Sequence, residues 1–75
     1  MAKPRRHLAV CVRNEGYEVS LELRKIYEVL PDQEAGRHRQ IRVIDESGED
    51  YLFPASWFAA LELPTPTKRA VLAAV

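Results

Sequence analysis

Residues 48–58 read GEDYLFPASWF and place a glycine turn, a short β-prone run and a proline in immediate succession. Gly48 lies in a polar segment between two β-prone runs, 41–44 and 51–53, which is typical of a β-hairpin. Pro54 has no backbone N–H to donate to a sheet, so it favours the end of a strand. The few residues after it are too short for a stable helix but suit one 3₁₀ turn. The stretch therefore predicts a hairpin, then a tight turn, then a return to strand.

Three further runs outside this stretch have strand character. Leu8–Val12 is apolar and is followed by a polar turn with a glycine, whereas Arg24–Leu30 is rich in β-forming residues and stops at a proline. Because proline disfavours helical geometry in the residue before it, the second run predicts a strand that ends at Leu30. Ala60–Leu63, which precedes Pro64, fits a closing strand.

The clearest strand pattern lies in Gln40–Asp45. Ile41 and Val43 alternate with Arg42, which places the two apolar side chains on one face of a strand. The polar connector before it, Pro31–His38, is interpreted as a loop, although it could hold a helical turn. Short strands at close spacing predict an all-β fold: a small, closed or nearly closed barrel of about five antiparallel strands, with a 3₁₀ turn before the last strand.

The composition is that of an ordinary globular domain. The chain has 75 residues, of which 47% are hydrophobic and 29% charged, with 11 Lys and Arg against 11 Asp and Glu. This length fits one domain, in which nearly every large apolar side chain is needed inside. The hydrophobic content argues against a disordered chain, and the balanced charge points to no particular class of partner.

Cysteine usage and the N-terminal segment bear on the compartment. Cys11 is the only cysteine, so no intramolecular disulfide or multi-cysteine zinc site is available and a reducing compartment is expected. The basic segment 1–7 is followed by a short apolar run, far below the roughly 20 residues that span a bilayer. We therefore expect a cytoplasmic protein without a membrane segment.

The order of these features resembles that of the SH3-like barrel family. The resemblance is carried by residues 20–30, 41–45 and 48–58 and covers residues 8–63. In that family a long first loop precedes a strand, a distal hairpin follows, and a Pro-x-x-aromatic 3₁₀ turn leads to the last strand. The resemblance thus implies a barrel over 8–63, flanked by the basic segment 1–7 and by a C-terminal tail, 64–75.

The resemblance also implies a ligand groove lined by aromatic side chains, in which such domains bind proline-rich peptides. Pro54 and Trp57 match the family's Pro-x-x-aromatic element. Two departures argue against a standard proline-rich ligand: Leu8–Val12 has no aromatic residue, and no tryptophan lies near Arg39–Ile41.

Our leading hypothesis is a non-catalytic protein- or peptide-interaction module with a shallow binding surface. Trp57 and Phe58 are adjacent and cannot point the same way, so we assign Phe58 to the core. For Trp57, a structural role and a ligand-facing role both stay open. Tyr17, inside a polar loop, is expected to be more exposed than the other tyrosines. The candidate groove comprises Glu15, Tyr17, Glu18, His38, Arg39, Pro54 and Trp57.

Nucleic-acid binding is the first alternative, because some SH3-like barrels bind nucleic acid and two basic clusters could neutralise phosphates. The candidate residues are Arg5, Arg6, Arg37, Arg39 and Arg42. The neutral chain and the lack of aromatic residues among the basic ones count against this alternative.

A structural subunit is the second alternative, as a monomer or a weak homodimer built through the last strand and the tail. In the tail, Thr65 and Pro66 fit an N-cap and a first helical position. A short helix and disorder are both open for this segment, because about ten residues are marginal as an isolated helix. Its apolar side chains, Val71, Leu72 and Val75, could dock on the barrel or on a neighbouring chain.

Catalysis is not expected. Cys11 lies in the middle of an apolar run, where a thiol behaves as a small hydrophobe. His7 and His38 lack the spacing of a metal site, and the acids in 45–50 form adjacent pairs rather than separated carboxylates in an apolar pocket. The sequence therefore predicts neither an enzyme nor a bound cofactor or metal.

Overall fold

The computed structural model describes residues 7–74. Arg5, Arg6 and Val75, together with nearly all of the basic segment 1–7, lie outside this range. The elements in chain order are β1 (His7–Cys11), β2 (Ile26–Leu30), α1 (Gln33–Arg37), β3 (Gln40–Ile44), β4 (Asp50–Pro54), a 3₁₀ turn (Ala55–Trp57), β5 (Phe58–Leu61) and α2 (Thr65–Ala73).

The five strands form one antiparallel sheet in the order β4-β3-β2-β1-β5. The predicted all-β fold, with antiparallel strands and a 3₁₀ turn before the last one, is confirmed. Central in the sheet, Ala9 lies between Tyr27 of β2 and Ala60 of β5. The sheet is not closed, because no backbone ladder within residues 7–74 joins β4 to β5.

The core shows that this open sheet is strongly curved. Phe53 and Phe58 belong to the two edge strands, yet their ring centroids lie only 6.2 Å apart. The sheet therefore curls until its edges meet through side chains, which buries the inward residues of every strand against one another. The core cluster comprises Ala9, Cys11, Leu21, Tyr27, Val29, Val43, Phe53 and Phe58.

Several strand boundaries differ from those predicted. β2 begins at Ile26, not at Arg24, because Arg24 has a φ of 66° and cannot continue an extended strand. The first loop consequently spans 12–25 and is longer than the sequence suggests. β5 starts at Phe58 and ends at Leu61, two residues earlier than predicted at each end.

The connector after β2 is a helix, so its interpretation as a loop is wrong. Asp32 caps helix α1 by accepting a hydrogen bond from the Ala35 N–H at 2.9 Å. Ala35 is buried, with 3% of its surface exposed. One side-chain cap and one apolar contact are enough to order a single helical turn within a polar segment.

The C-terminal tail forms helix α2, which begins at the proposed cap residue, one position earlier than predicted. Thr65 is the first helical residue, and Pro64 in the cap position makes no side-chain hydrogen bond. Val71 and Leu72 are half-buried and line a cavity of about 380 Å³ whose other wall includes Leu8 on the outer face of β1. Neither helix in the described chain has the length and apolar character needed to span a bilayer.

Candidate functional site

The first loop, 12–25, is held in a fixed conformation by its own hydrogen bonds. The Tyr17 carbonyl accepts the N–H groups of Ser20 and Leu21 at 3.0 and 2.9 Å. The Asn14 side chain donates to the Leu21 carbonyl at 2.9 Å, and Leu21 itself is completely buried. The loop is therefore anchored in the core, and it presents Tyr17 from a defined position.

Tyr17 lies edge-on against two other aromatic rings. Its ring centroid is 5.5 Å from that of Phe53 and 5.6 Å from that of Trp57, both in T-shaped geometry. Phe53 is buried, while half of Tyr17 remains exposed to solvent. Trp57 is partly buried against the core cluster. The structure therefore brings together Tyr17 and Trp57, which are 40 positions apart in the sequence.

The exposure of individual aromatic residues follows the expectations in most respects. Phe58 is buried at 9% exposure, so its assignment to the core is confirmed. Tyr27 is buried, but Tyr51 is 48% exposed and Tyr17 50%. Tyr17 is therefore much more exposed than Tyr27, as predicted, but hardly more exposed than Tyr51.

The 3₁₀ turn is fixed from both sides. The Ala55 N–H donates to the Arg39 carbonyl at 3.0 Å, and the Trp57 carbonyl accepts from the Val12 N–H at 2.8 Å. Pro54 is paired opposite Gln40 at the start of β3. Arg39 thus contributes to the site through its backbone, which has a φ of 56°.

The two acidic residues of the first loop have different partners. Glu15 forms an exposed ion pair with Arg13 at 2.7 Å, and this hydrogen bond lowers the pKa of the Glu15 carboxyl. Among residues 7–74, Glu18 has only a local hydrogen-bond donor, the Gly16 N–H at 3.2 Å. Of the two, Glu18 leaves more negative charge for a ligand, because its partner is uncharged.

The basic candidates are largely paired with carboxylates. Arg42 donates to Asp32 and to Asp50, each at 2.8 Å, and these hydrogen bonds raise the pKa of its guanidinium. His38 and Arg37 lie 3.2 and 3.9 Å from the Glu34 carboxylate. Arg39 is exposed, and its guanidinium has no carboxylate partner among residues 7–74.

A cavity that the sequence did not indicate adjoins Tyr17. It has a volume of about 360 Å³ and lies between the first loop and the hairpin of β3 and β4. Tyr51 and Leu52 line it and are 48% and 40% exposed. The alternation of Tyr51 with Phe53 could have placed Tyr51 beside the core opening. The remaining lining residues are Tyr17, Ser20, Asp45, Ser47 and Phe53.

We call the side chains of Tyr17, Tyr51, Leu52 and Trp57 the Tyr17 surface. Tyr17 contacts Trp57 on one side and lines the cavity with Tyr51 and Leu52 on the other. An aromatic, partly exposed strip of this kind offers apolar area together with tyrosine hydroxyl groups, the combination enriched at binding surfaces.

The groups with catalytic potential have structural roles. Cys11 is fully buried, and burial raises the pKa of its thiol. The buried Asp45 carboxylate accepts hydrogen bonds from the backbone N–H and hydroxyl of Ser47, at 2.8 and 2.5 Å. Across residues 7–74, no group of three or more His, Cys, Asp or Glu side chains is placed to hold a metal ion.

Comparison with known proteins gives no assignment: no family model, curated protein or solved structure matches this chain significantly.

Proposed function

We propose that the protein is a non-catalytic interaction module that binds a short peptide segment of another protein on the Tyr17 surface. The observation that carries this proposal is the position of Tyr17. Its ring is half-exposed although it is packed edge-on between Phe53 and Trp57.

Such a ring is suited to binding because its conformation is already fixed. A tyrosine that is ordered before the ligand arrives loses little further freedom on binding, so more of the contact energy appears as affinity. The rings that hold Tyr17 belong to β4, which pairs with β3, and to the 3₁₀ turn, which is held by backbone hydrogen bonds to Arg39 and Val12.

The chemistry of the surface indicates the kind of peptide. Tyr17, Trp57 and Leu52 offer apolar contact to an aliphatic or proline side chain. Glu18 lies one residue from Tyr17 and, in the part of the chain that the structure describes, has only an uncharged partner, so it favours a Lys or Arg beside the apolar residue. The resemblance to SH3-like barrels supports the same class of ligand, without requiring a standard proline-rich motif.

A peptide titration followed by NMR tests this proposal. The probes are short peptides that combine a proline or aliphatic residue with Lys or Arg, and matched peptides in which Glu replaces the basic residue. We expect the basic peptides to shift the signals of the Trp57 indole and the Tyr17 ring, and the acidic peptides to bind more weakly.

Tyr17→Ala should weaken binding of a responsive peptide at least about tenfold, because truncation of an aromatic anchor costs about 2 kcal/mol. Val19→Ala is the matched control, since Val19 lies in the same loop but is 93% exposed. The signals of Phe53 and Phe58 report whether each variant keeps its core. Binding that survives Tyr17→Ala with an intact core, or shifts confined to another surface, would contradict the proposal.

Nucleic-acid binding is not supported by a comparable observation. Two carboxylates already compensate the guanidinium of Arg42, and Glu34 lies beside Arg37 and His38. Phosphates would have to displace these ion pairs, which lowers the net gain from each contact.

A further inference from the structure

The outer edge of β5 is open. In the sheet order β4-β3-β2-β1-β5, this strand pairs only with β1. Its side away from β1 pairs with no other strand within residues 7–74. An open edge presents unpaired N–H and C=O groups that can accept another strand.

The register identifies the groups on this edge. The Val12 N–H donates to the Trp57 carbonyl, and Val10 pairs with Ala59 two residues further along. Because backbone groups of an antiparallel strand alternate between its two sides, Ala59 and Leu61 face β1. The outward groups are then the Phe58 C=O, both groups of Ala60 and the Glu62 N–H. The Phe58 N–H is already donated to the Ala55 carbonyl.

These outward groups are arranged so that the donors of one β5 strand match the acceptors of a second, antiparallel β5 strand centred on Ala60. If β5 meets an antiparallel copy of itself with Ala60 opposite Ala60, each Ala60 N–H reaches the other Ala60 C=O. Each Glu62 N–H reaches the Phe58 C=O of the other copy. The Phe58 N–H takes no part in this pairing, because it is donated to the Ala55 carbonyl. We propose that two copies of this chain associate through β5 in this register and form a symmetric dimer with a continuous sheet.

The side chains of the edge favour this pairing. Ala59 and Ala60 are small and exposed, and β5 contains no charged residue. Glu62 would face Phe58, not a second Glu62, so no like charges lie directly opposite each other. The other edge strand, β4, begins with Asp50 and ends with Pro54, the types of residue that protect an edge from pairing.

An apolar cavity lies beside the same edge. It has a volume of about 380 Å³, and its lining includes Ile41, Phe58 and Ala60. A strand added to β5 would cover this cavity and remove apolar surface from water, which favours association. The proposed contact is independent of the Tyr17 surface, since the two share no residue.

One short strand pair makes a small interface, so we expect a weak dimer. Sedimentation equilibrium should show a mass that rises from monomer toward dimer at concentrations up to about 1 mM. A protein that stays monomeric across this range would overturn the proposal.

A cysteine pair tests the register. In Ala60→Cys, the two thiols face each other across a strand pair with a Cα separation of about 5.5 Å, which suits a disulfide. In the matched control Ala59→Cys, the two Cα atoms lie about 8 Å apart, because position 59 is opposite Leu61 of the other copy, and this separation is too long for a disulfide. Under mild oxidation we expect a linked dimer from the first variant only. Equal linking in both variants, or linking through the buried Cys11, would contradict the proposed register.

Charge variants provide a test that does not depend on disulfide geometry. Ala60→Lys should weaken the dimer at least about tenfold, because like charges then lie opposite each other. Mixing Ala60→Lys with Ala60→Glu should restore association through opposite charges. Ser56→Lys is the control, since Ser56 is exposed but lies in the 3₁₀ turn. Dimerisation that is insensitive to Ala60→Lys would place the interface elsewhere.

Discussion

Tyr27 shows how a single side chain joins distant segments of this small chain. Its hydroxyl accepts the Glu22 N–H at 2.7 Å and donates to the Glu46 carboxylate at 2.5 Å. Lys25 also pairs with Glu46, at 2.5 Å. Burial, and then the hydrogen bond to Glu46, raise the pKa of the Tyr27 hydroxyl. This group ties the first loop to the β3-β4 turn.

Tyr27→Phe should lower the free energy of unfolding by about 1–2 kcal/mol, because the variant leaves the Glu22 N–H and the Glu46 carboxylate without this partner. Urea unfolding followed by tryptophan fluorescence measures the change. Tyr51→Phe serves as the control, since the Tyr51 hydroxyl donates a hydrogen bond to the exposed Glu49 carboxylate. If Tyr51→Phe lowers the free energy of unfolding as much as Tyr27→Phe does, this role of the Tyr27 hydroxyl is disproved.

Glu46 gives the fold a specific dependence on pH. Hydrogen bonds from Lys25 and then Tyr27 hold the pKa of Glu46 below its ordinary value of 4.5. The carboxylate therefore stabilises the folded state at pH above about 4.5, and this contribution is lost as the pH falls through the lower folded-state value.

Glu46→Gln should reduce the fall in stability between pH 5 and pH 3, because the variant has no proton to bind at this position. Urea midpoints measured across that range give the comparison, and Glu49→Gln in the same turn is the control. An unchanged pH profile for Glu46→Gln would show that other acids dominate the transition.

At the scale of elements, the turns determine where the strands begin and end. Between β3 and β4, the Asp45 N–H donates to the Glu49 carbonyl, and the Gly48 N–H donates to the Asp45 carbonyl, both at 3.0 Å. Gly48 has a φ of 84°. This left-handed backbone suits glycine because a Cβ atom would be strained there.

Gly48→Ala should cost about 1 kcal/mol of stability, because alanine is strained at this φ. Gly36→Ala in α1 should instead be neutral or stabilise by up to about 1 kcal/mol. A Cβ atom at either position meets nothing within 4 Å, so the pair isolates the backbone effect. Chemical denaturation of both variants measures the change in the free energy of unfolding. Equal losses of stability in the two variants would refute the explanation.

At the scale of the whole molecule, Cys11 reports on cooperative opening. Its side chain is completely buried and belongs to a core cluster that includes residues from every strand. A reagent can therefore reach the thiol only when that cluster opens.

We expect thiol labelling of Cys11 in the native protein to be on the order of 10²–10³-fold slower than in urea, as a domain of this size has only a few kcal/mol of stability. Labelling kinetics followed by mass spectrometry provide the measurement. Labelling at nearly the unfolded rate, under conditions where circular dichroism is native, would mean that the core opens locally around β1.

The strands, the hairpin and the 3₁₀ turn can be predicted from the sequence, because these features depend on local patterns. Alternation in Gln40–Asp45, the glycine at position 48 and the proline at position 54 act within a few residues of where they lie. The assignment of Phe58 to the core follows from the same local geometry. From the sequence, helix α1 is interpreted as a loop because its order depends on one cap and one buried alanine within a polar segment.

Which side chains meet across the molecule depends on the tertiary structure. Tyr17 contacts Trp57 because the sheet curls and brings the first loop against the 3₁₀ turn. Within residues 7–74, the outer edge of β5 is left without a pairing strand and lies beside an apolar cavity. Such contacts join residues far apart in the chain, and a local sequence pattern carries no signal for them.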